Sequence, residues 1–187
     1  MNSYAEYAPA GGKGPKKTIL LIRPSYLRWR CLRKRAKVTG MADLTDFARI
    51  GAQDSGLCVV STLRADGTIQ ASVVNAGVYE HPVSGVQGVA FVAMGGSRKL
   101  ANLRARPRVT VVARATWAWA AAEGNAELIG PDDPIAGVDA EGLRLALRAV
   151  FVAAGGSHDD WDEYDRAMAA ERRTIVFVSP DRVYANG

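Results

Sequence analysis

From residue 57 to 64 the chain reads Leu-Cys-Val-Val-Ser-Thr-Leu-Arg, β-rich and alternating between apolar and polar positions. Period two predicts a half-buried strand. Ala65-Asp66-Gly67 follows, and Asp-Gly is a strong hairpin signal because glycine reaches positive φ without steric cost. The return strand is predicted over 68–79, with Ile69, Ala71 and Val73 on one face and Gln70, Ser72 and Val74 on the other. A turn over 82–88 leads to a third strand over 89–94. Two more strands are expected over 109–114 and 117–129, with a bulge at Gly124. A last strand is expected over 174–178, before Pro180-Asp181 and a short tail over 182–185.

Helical spacing appears four times. Residues 43–52 place Leu44, Phe47, Ala48 and Ile50 behind a capping Asp43. A short helix over 97–105 is stopped by Pro107. Helices over 139–154 and 159–170 are separated by Gly155-Gly156. Hairpins joined by short loops argue for an antiparallel sheet rather than a doubly wound one. Six such strands are best closed into a small barrel, which removes exposed edges. The expected fold is therefore mainly β (α+β), a six-stranded antiparallel barrel with flanking helices.

A chain of 187 residues, 48% hydrophobic, holds about one domain and one core. No apolar run approaches the roughly 20 residues of a spanning helix. The net charge of +5 is unevenly spread. Residues 1–40 carry ten Lys/Arg against the single acid Glu6, for +9, and residues 41–187 carry −4. Residues 1–40 are thus expected to be a poorly packed basic extension, and 41–187 the domain. Three readings of the extension stay open: a tail for nucleic acid or anionic lipid, a targeting segment, or non-native sequence. Composition changes sharply at Met41, which is expected to be the true initiator. A nucleic-acid-binding domain would carry its positive charge on the fold, so a nucleic-acid partner is not expected, nor is a membrane. Cys31 and Cys58 make neither a disulfide framework nor a Cys-x-x-Cys motif. That favours the cytoplasm.

The segment richest in chemistry is Gly95-Gly96-Ser97-Arg98-Lys99-Leu100-Ala101-Asn102-Leu103. Two glycines free the backbone, Ser97 can cap a helix, and two cations follow. Helix-start N–H groups and the helix dipole favour an anion, which Arg98 and Lys99 would neutralise. No Gly-Lys-Ser/Thr follows a four-residue spacer, so this is not a Walker loop. Local chemistry leaves open a basic helix start with no ligand.

Other residues have plainer readings. Trp117 and Trp119 alternate with alanines and are expected on one side of a strand, in core or interface packing or stacked near a substrate. His158, Asp159, Asp160, Trp161 and Tyr164 do not have metal-ligand spacing, and no metal is expected. Asp159 is expected to cap the following helix, with Trp161 as a core anchor. His81, before Pro82 in a turn, is expected to be exposed. Glu171-Arg172-Arg173 is expected to make surface or interface ion pairs, and Cys58 to be an inert core thiol.

Three motifs occur in a telling order: Leu-Arg-Ala-Asp-Gly-Thr-Ile-Gln, then Gly-Ser-Arg-Lys-x-x-Asn-Leu-x-x-x-Pro-Arg-Val, then Glu-Gly-x-Ala-Glu-Leu. Over residues 41–187 the chain resembles the pyridoxamine 5′-phosphate oxidase-like split β-barrel superfamily, the FMN-binding-like fold. Gly156-Ser157-His158-Asp159-Asp160-Trp161-Asp162-Glu163-Tyr164, with Glu171-Arg172-Arg173, resembles its actinobacterial branch of coenzyme F420 (deazaflavin)-dependent enzymes. The resemblance implies a homodimer with a flavin-type cofactor in the groove between subunits. It implies that Gly95, Gly96, Ser97, Arg98 and Lys99 serve the cofactor phosphate, with Asn102 in support. It also implies that Gln70, Ser72 and Asn75 lie along the ring and ribityl chain.

One departure bears on the cofactor. Flavin mononucleotide (FMN) oxidases of this superfamily carry an Arg and, five residues later, a Lys on the second strand. Here those positions are Gln70 and Asn75, both neutral. The implied function is hydride transfer from F420 to a small unsaturated or quinone-like acceptor, with no dedicated catalytic residue identified. The alternatives are an FMN-dependent oxidoreductase and a non-catalytic F420- or flavin-binding protein.

Overall fold

The computed structural model describes residues 42–186. The basic extension expected over 1–40 and Cys31 lie outside them. Besides a short 3-10 helix (Ala52–Asp54), ten elements follow in order: α1 (Leu44–Gly51), β1 (Leu57–Leu63), β2 (Ile69–Glu80), β3 (Gln87–Ala93), α2 (Arg98–Ala105), β4 (Arg108–Ala115), β5 (Ala118–Ile129), α3 (Ala140–Ala153), α4 (Trp161–Ala170) and β6 (Thr174–Ala185). All strand pairs are antiparallel, and the sheet closes in the order β1-β2-β3-β6-β5-β4. The expected six-stranded barrel with flanking helices is what the chain forms.

Local chemistry explains the first elements. Asp43 caps α1, accepting from Thr45 N and Asp46 N, while Asp46 reaches back to the Asp43 N–H in a capping box. The β1–β2 hairpin pairs Leu63 with Ile69 and Leu57 with Asn75. Gly67 takes φ +81, and Asp66 Oδ1 accepts from Thr68 N at 2.9 Å, which closes the loop.

The inward side chains of every strand build one core, including Cys58, Val60, Phe91, Val111 and Val176, and α1 adds Phe47 and Ile50. A second core lies outside the barrel. There Ala146, Leu147 and Val150 of α3 and Tyr164 of α4 cover Ala90, Ile175 and Phe177. So β3 and β6 are buried on both faces, which is why they read as continuous apolar runs. The outer face of β1 and of the first half of β2 is uncovered instead: Leu57, Val59, Ile69 and Val73 are exposed.

Four expectations need correction. The last strand does not stop at Val178 but continues through Pro180 to Ala185. Beyond Val178, β6 pairs with β5 alone, and Pro180 falls on this one-sided stretch beside the register shift, where a sheet tolerates proline. The register shifts there, between Glu123 and Gly124, where the bulge was expected. The cap of α4 is Asp160, which accepts from Asp162 N and Glu163 N, rather than Asp159. His81 is buried, because its Nδ1 accepts from Val83 N and Ser84 N and its ring stands edge-on to Phe177. Trp117 sits in the β4–β5 turn after Thr116 at φ +52; it is 88% exposed and takes no part in the core. Trp119 lies on β5, edge-on to Tyr184.

Candidate functional site

The Gly95-Gly96 turn joins β3 to α2, and its two glycines do different work. Gly96 takes φ +70, a left-handed conformation that favours glycine. Gly95 is needed for close approach: a Cβ there would lie 2.6 Å from the Arg172 carbonyl oxygen. Its N–H donates to Glu171 O at 3.0 Å and so is taken by the protein. This corrects the expectation that both glycines serve an anion directly.

Ser97 is the N-cap of α2 by position but makes no side-chain cap bond. Its hydroxyl oxygen is buried without a protein partner. The N–H groups that open α2 have no intrahelical acceptors, as at any helix start. Arg98 is exposed, while Lys99 turns into the protein and is half-buried. Burial and, after it, repulsion from Arg173 hold the Lys99 ammonium below the usual lysine range. Among the described residues no carboxylate pairs with Lys99.

Asn102, one turn further along α2, is buried. Its amide donates to Thr62 Oγ1 and to Gln70 Oε1, both at 3.0 Å. Gln70 and Ser72 stand opposite Thr62 and Val60 on the barrel-facing side of β2. Asn75 is on the other face, and its Nδ2 donates to Ser55 O at 2.7 Å. The three β2 candidates therefore do not form one patch. Gln70 supports α2, Ser72 is half-buried beside it, and Asn75 faces outward with Val73.

Lys99 and Asn75 meet in a groove of about 460 Å³. Val73 and Val74 of β2, with Val92, Ala93 and Met94, form one wall. Phe151 of α3 and Tyr164 and Met168 of α4 form the other, with Arg173 beside them. Burial pushes the Tyr164 phenol up to about 12, and its hydroxyl donates to Leu147 O, so it stays neutral. The groove is thus mostly apolar, with cations gathered at one place. Lys99, with no carboxylate partner among the described residues, and an apolar wall fit a phosphate-bearing ring cofactor; Ser97, whose hydroxyl is buried, does not line the groove.

The sequence missed Arg173, Phe151 and Tyr164 as groove residues. A basic pair directly after a helix end marks Arg173 as a cation but does not give its place beside Lys99. Trp117 and Trp119 do not line the groove. His158 packs against Trp161 and Tyr164, and among the described residues no three His, Cys, Asp or Glu side chains gather in metal-binding geometry. Cys58 is buried, and desolvation pushes its thiol up to about 12. No helix among the described residues is long and apolar enough to cross a membrane.

Comparison with solved structures places this barrel among known ones. A conserved hypothetical protein of Mycobacterium tuberculosis superposes with a TM-score of 0.52 at 20% identity, over 74% of this chain and 82% of that one. A heme-binding protein of Mycobacterium smegmatis superposes with a TM-score of 0.52 at 17% identity, over 79% of this chain and 55% of that one. At such identities the likeness is one of fold. The family model described as pyridoxamine 5′-phosphate oxidase matches residues 44–186, from the first helix to the end of β6. The chain is a member of the pyridoxamine 5′-phosphate oxidase family.

Proposed function

We propose that this protein is an oxidoreductase that binds coenzyme F420 in the groove beside Lys99 and serves hydride transfer to a small unsaturated or quinone-like acceptor. The observation that carries the choice of cofactor is on β2. Gln70 is engaged by Asn102, and Asn75 is engaged by Ser55, so β2 brings no cation to a phosphate. An FMN site of the kind the family resemblance implies would lose two charge-assisted contacts, each worth roughly 1.5–3 kcal/mol.

When bound, the cofactor supplies the hydride chemistry, and the protein supplies position and exclusion of water. Lys99 and the first N–H groups of α2 would hold the phosphate. The apolar walls from Val73 and Val92 on one side and Phe151 and Tyr164 on the other would flank the ring. No side chain in the groove is assigned as a proton donor.

The groove is open, and Val73 belongs both to it and to the uncovered outer face of β1 and β2. A second copy of the chain covering that face would also wall the groove, so the active form is read as a homodimer. The buried free thiol of Cys58 suits the cytoplasm.

The test is titration of the full chain with F420 and, separately, with FMN, followed by fluorescence. Tighter binding of F420, with reoxidation of the reduced cofactor by a quinone or enone, is the expected result. Preference for FMN would overturn the choice of cofactor. Binding without reoxidation by any acceptor would overturn the enzymatic part.

A further inference from the structure

We propose that Arg173 is a second cation of the cofactor anchor, acting with Lys99 on a phosphate ester, and that Glu171 holds it in place until that anion arrives. This rests on the groove being the cofactor site. The backbone brings Arg173 there. Helix α4 ends with Arg172 N donating to Ala169 O and Arg173 N donating to Met168 O, the two bonds of a Schellman turn. Arg172 takes the left-handed position, φ +50, which glycine usually fills. Gly95 N donates to Glu171 O, and the close approach of Gly95 to Arg172 leaves no room for a side chain. The segment 171–173 is therefore fixed against the turn that starts α2, and Lys99 and Arg173 both line the groove with Asn75.

The charges there do not balance. Lys99 has no carboxylate partner among the described residues, and Arg173 is close enough to disfavour its protonated form. Among the described residues the carboxylate that pairs with Arg173 is that of Glu171, whose Oε2 accepts from Arg173 Nε at 2.6 Å and lies 2.5 Å from Nη2. Two cations against one carboxylate leave an excess positive charge beside an apolar wall. A guanidinium has five donors, so Arg173 keeps N–H groups free for an anion while Glu171 orients it. A phosphate ester placed between Lys99 and Arg173 would relieve their repulsion and meet both. A neutral ring alone would not. Arg173 thus brings to the groove a positive charge that the neutral Asn75 does not.

An ion pair that only tidies the surface predicts something different, and paired variants separate the two. The full chain, Arg173→Gln and Glu171→Gln would be titrated with F420 and FMN. Each would also be titrated with a phosphate-free counterpart, the bare deazaflavin and riboflavin, and with inorganic pyrophosphate. Arg173→Gln should weaken the phosphate-bearing ligands by about 10- to 100-fold, the loss of one charge-assisted contact, and leave the phosphate-free ones unchanged. Glu171→Gln should tighten the phosphate-bearing ligands, a gain no damaged fold would give. Equal effects on both ligand types, or no effect of either variant, would overturn the proposal. If the unmodified chain binds no flavin or deazaflavin, the cofactor reading fails, and pyrophosphate alone decides for Arg173. Binding that Arg173→Gln abolishes would support it, and absence of binding would overturn it.

Discussion

The side-chain amide of Asn102 donates to both Thr62 Oγ1 and Gln70 Oε1, and so ties the middle of α2 to β1 and β2 at once. Asn102 and Thr62 are buried, so the Thr62 hydroxyl oxygen cannot turn to bulk water for a replacement donor, whereas Gln70 is only half-buried. Asn102→Leu should therefore cost about 1–3 kcal/mol, the penalty of leaving a buried acceptor unmet. Urea unfolding measures it: the midpoint should fall with the slope unchanged. A loss below about 0.5 kcal/mol, the range of neutral surface changes, would mean the amide is not a tie.

Two glycines should respond differently to alanine. A Cβ at Gly77 would lie 1.9 Å from the Ala153 carbonyl oxygen, where the end of α3 rests on β2. At Gly67 nothing lies within 4 Å, but φ is +81. Gly77→Ala must move a helix, and should cost about 2–3 kcal/mol, at the upper end of overpacking effects. Gly67→Ala meets only backbone strain, about 1–2 kcal/mol. Thermal or urea unfolding of both variants gives the order. A larger loss at Gly67 would contradict the close approach of α3.

Acid should loosen the α3–α4 pair. Asp165 accepts from Arg148 Nε at 2.8 Å and from Arg144 Nη1 at 2.7 Å, and these guanidinium groups hold its carboxyl below the usual value of 3.8. A folded-state pKa below the unfolded one means the folded protein binds the proton less readily. The stabilisation is then complete above 3.8 and is lost as pH falls through the depressed folded value. Asp165→Asn should lower stability at neutral pH and flatten its dependence below pH 4. Parallel pH curves for the two proteins would remove Asp165 from the acid response.

How much of this was legible beforehand depended on the range of the interaction. The β1–β2 hairpin, the α1 cap and the Gly124 bulge are set by neighbours in sequence, and the pattern of residues announced them. Burial of His81 was not announced, because it depends on Phe177, far along the chain. The course of β6 past Pro180 was missed because only the sheet order shows that its far side is unpaired. Lys99 could be picked from the helix start alone. Arg173 could not, since its place beside Lys99 depends on the contact of Gly95 with the end of α4. The resemblance pairs Gln70 with Asn75, yet five residues along a strand puts them on opposite faces.

Lys99→Ala should weaken cofactor binding by roughly 1.5–3 kcal/mol, about one charge-assisted contact. Its half-buried ammonium makes no ion pair among the described residues, so removing it should leave the fold intact or slightly more stable. Fluorescence titration and unfolding of the same sample separate the two effects. An unchanged dissociation constant would take Lys99 out of the site.

The uncovered β1–β2 face carries the prediction about assembly. Leu57 and Val59 are each 41% exposed, Ile69 66% and Val73 64%, all on the outer side of two adjacent strands. The outer faces of β3 and β6 have α3 and α4 over them, but nothing among the described residues plays that part here. An apolar strip on a sheet invites a partner, and a second copy supplies an equal strip by symmetry. Ile69→Glu should turn a dimer into a monomer in sedimentation equilibrium at micromolar concentration. The isolated fold should hardly change, because the side chain is mostly exposed. Cofactor affinity should fall with the dimer, since Val73 joins this face to the groove. A chain that is already monomeric without the substitution would refute the paired face, and an Ile69→Glu dimer would move the interface elsewhere.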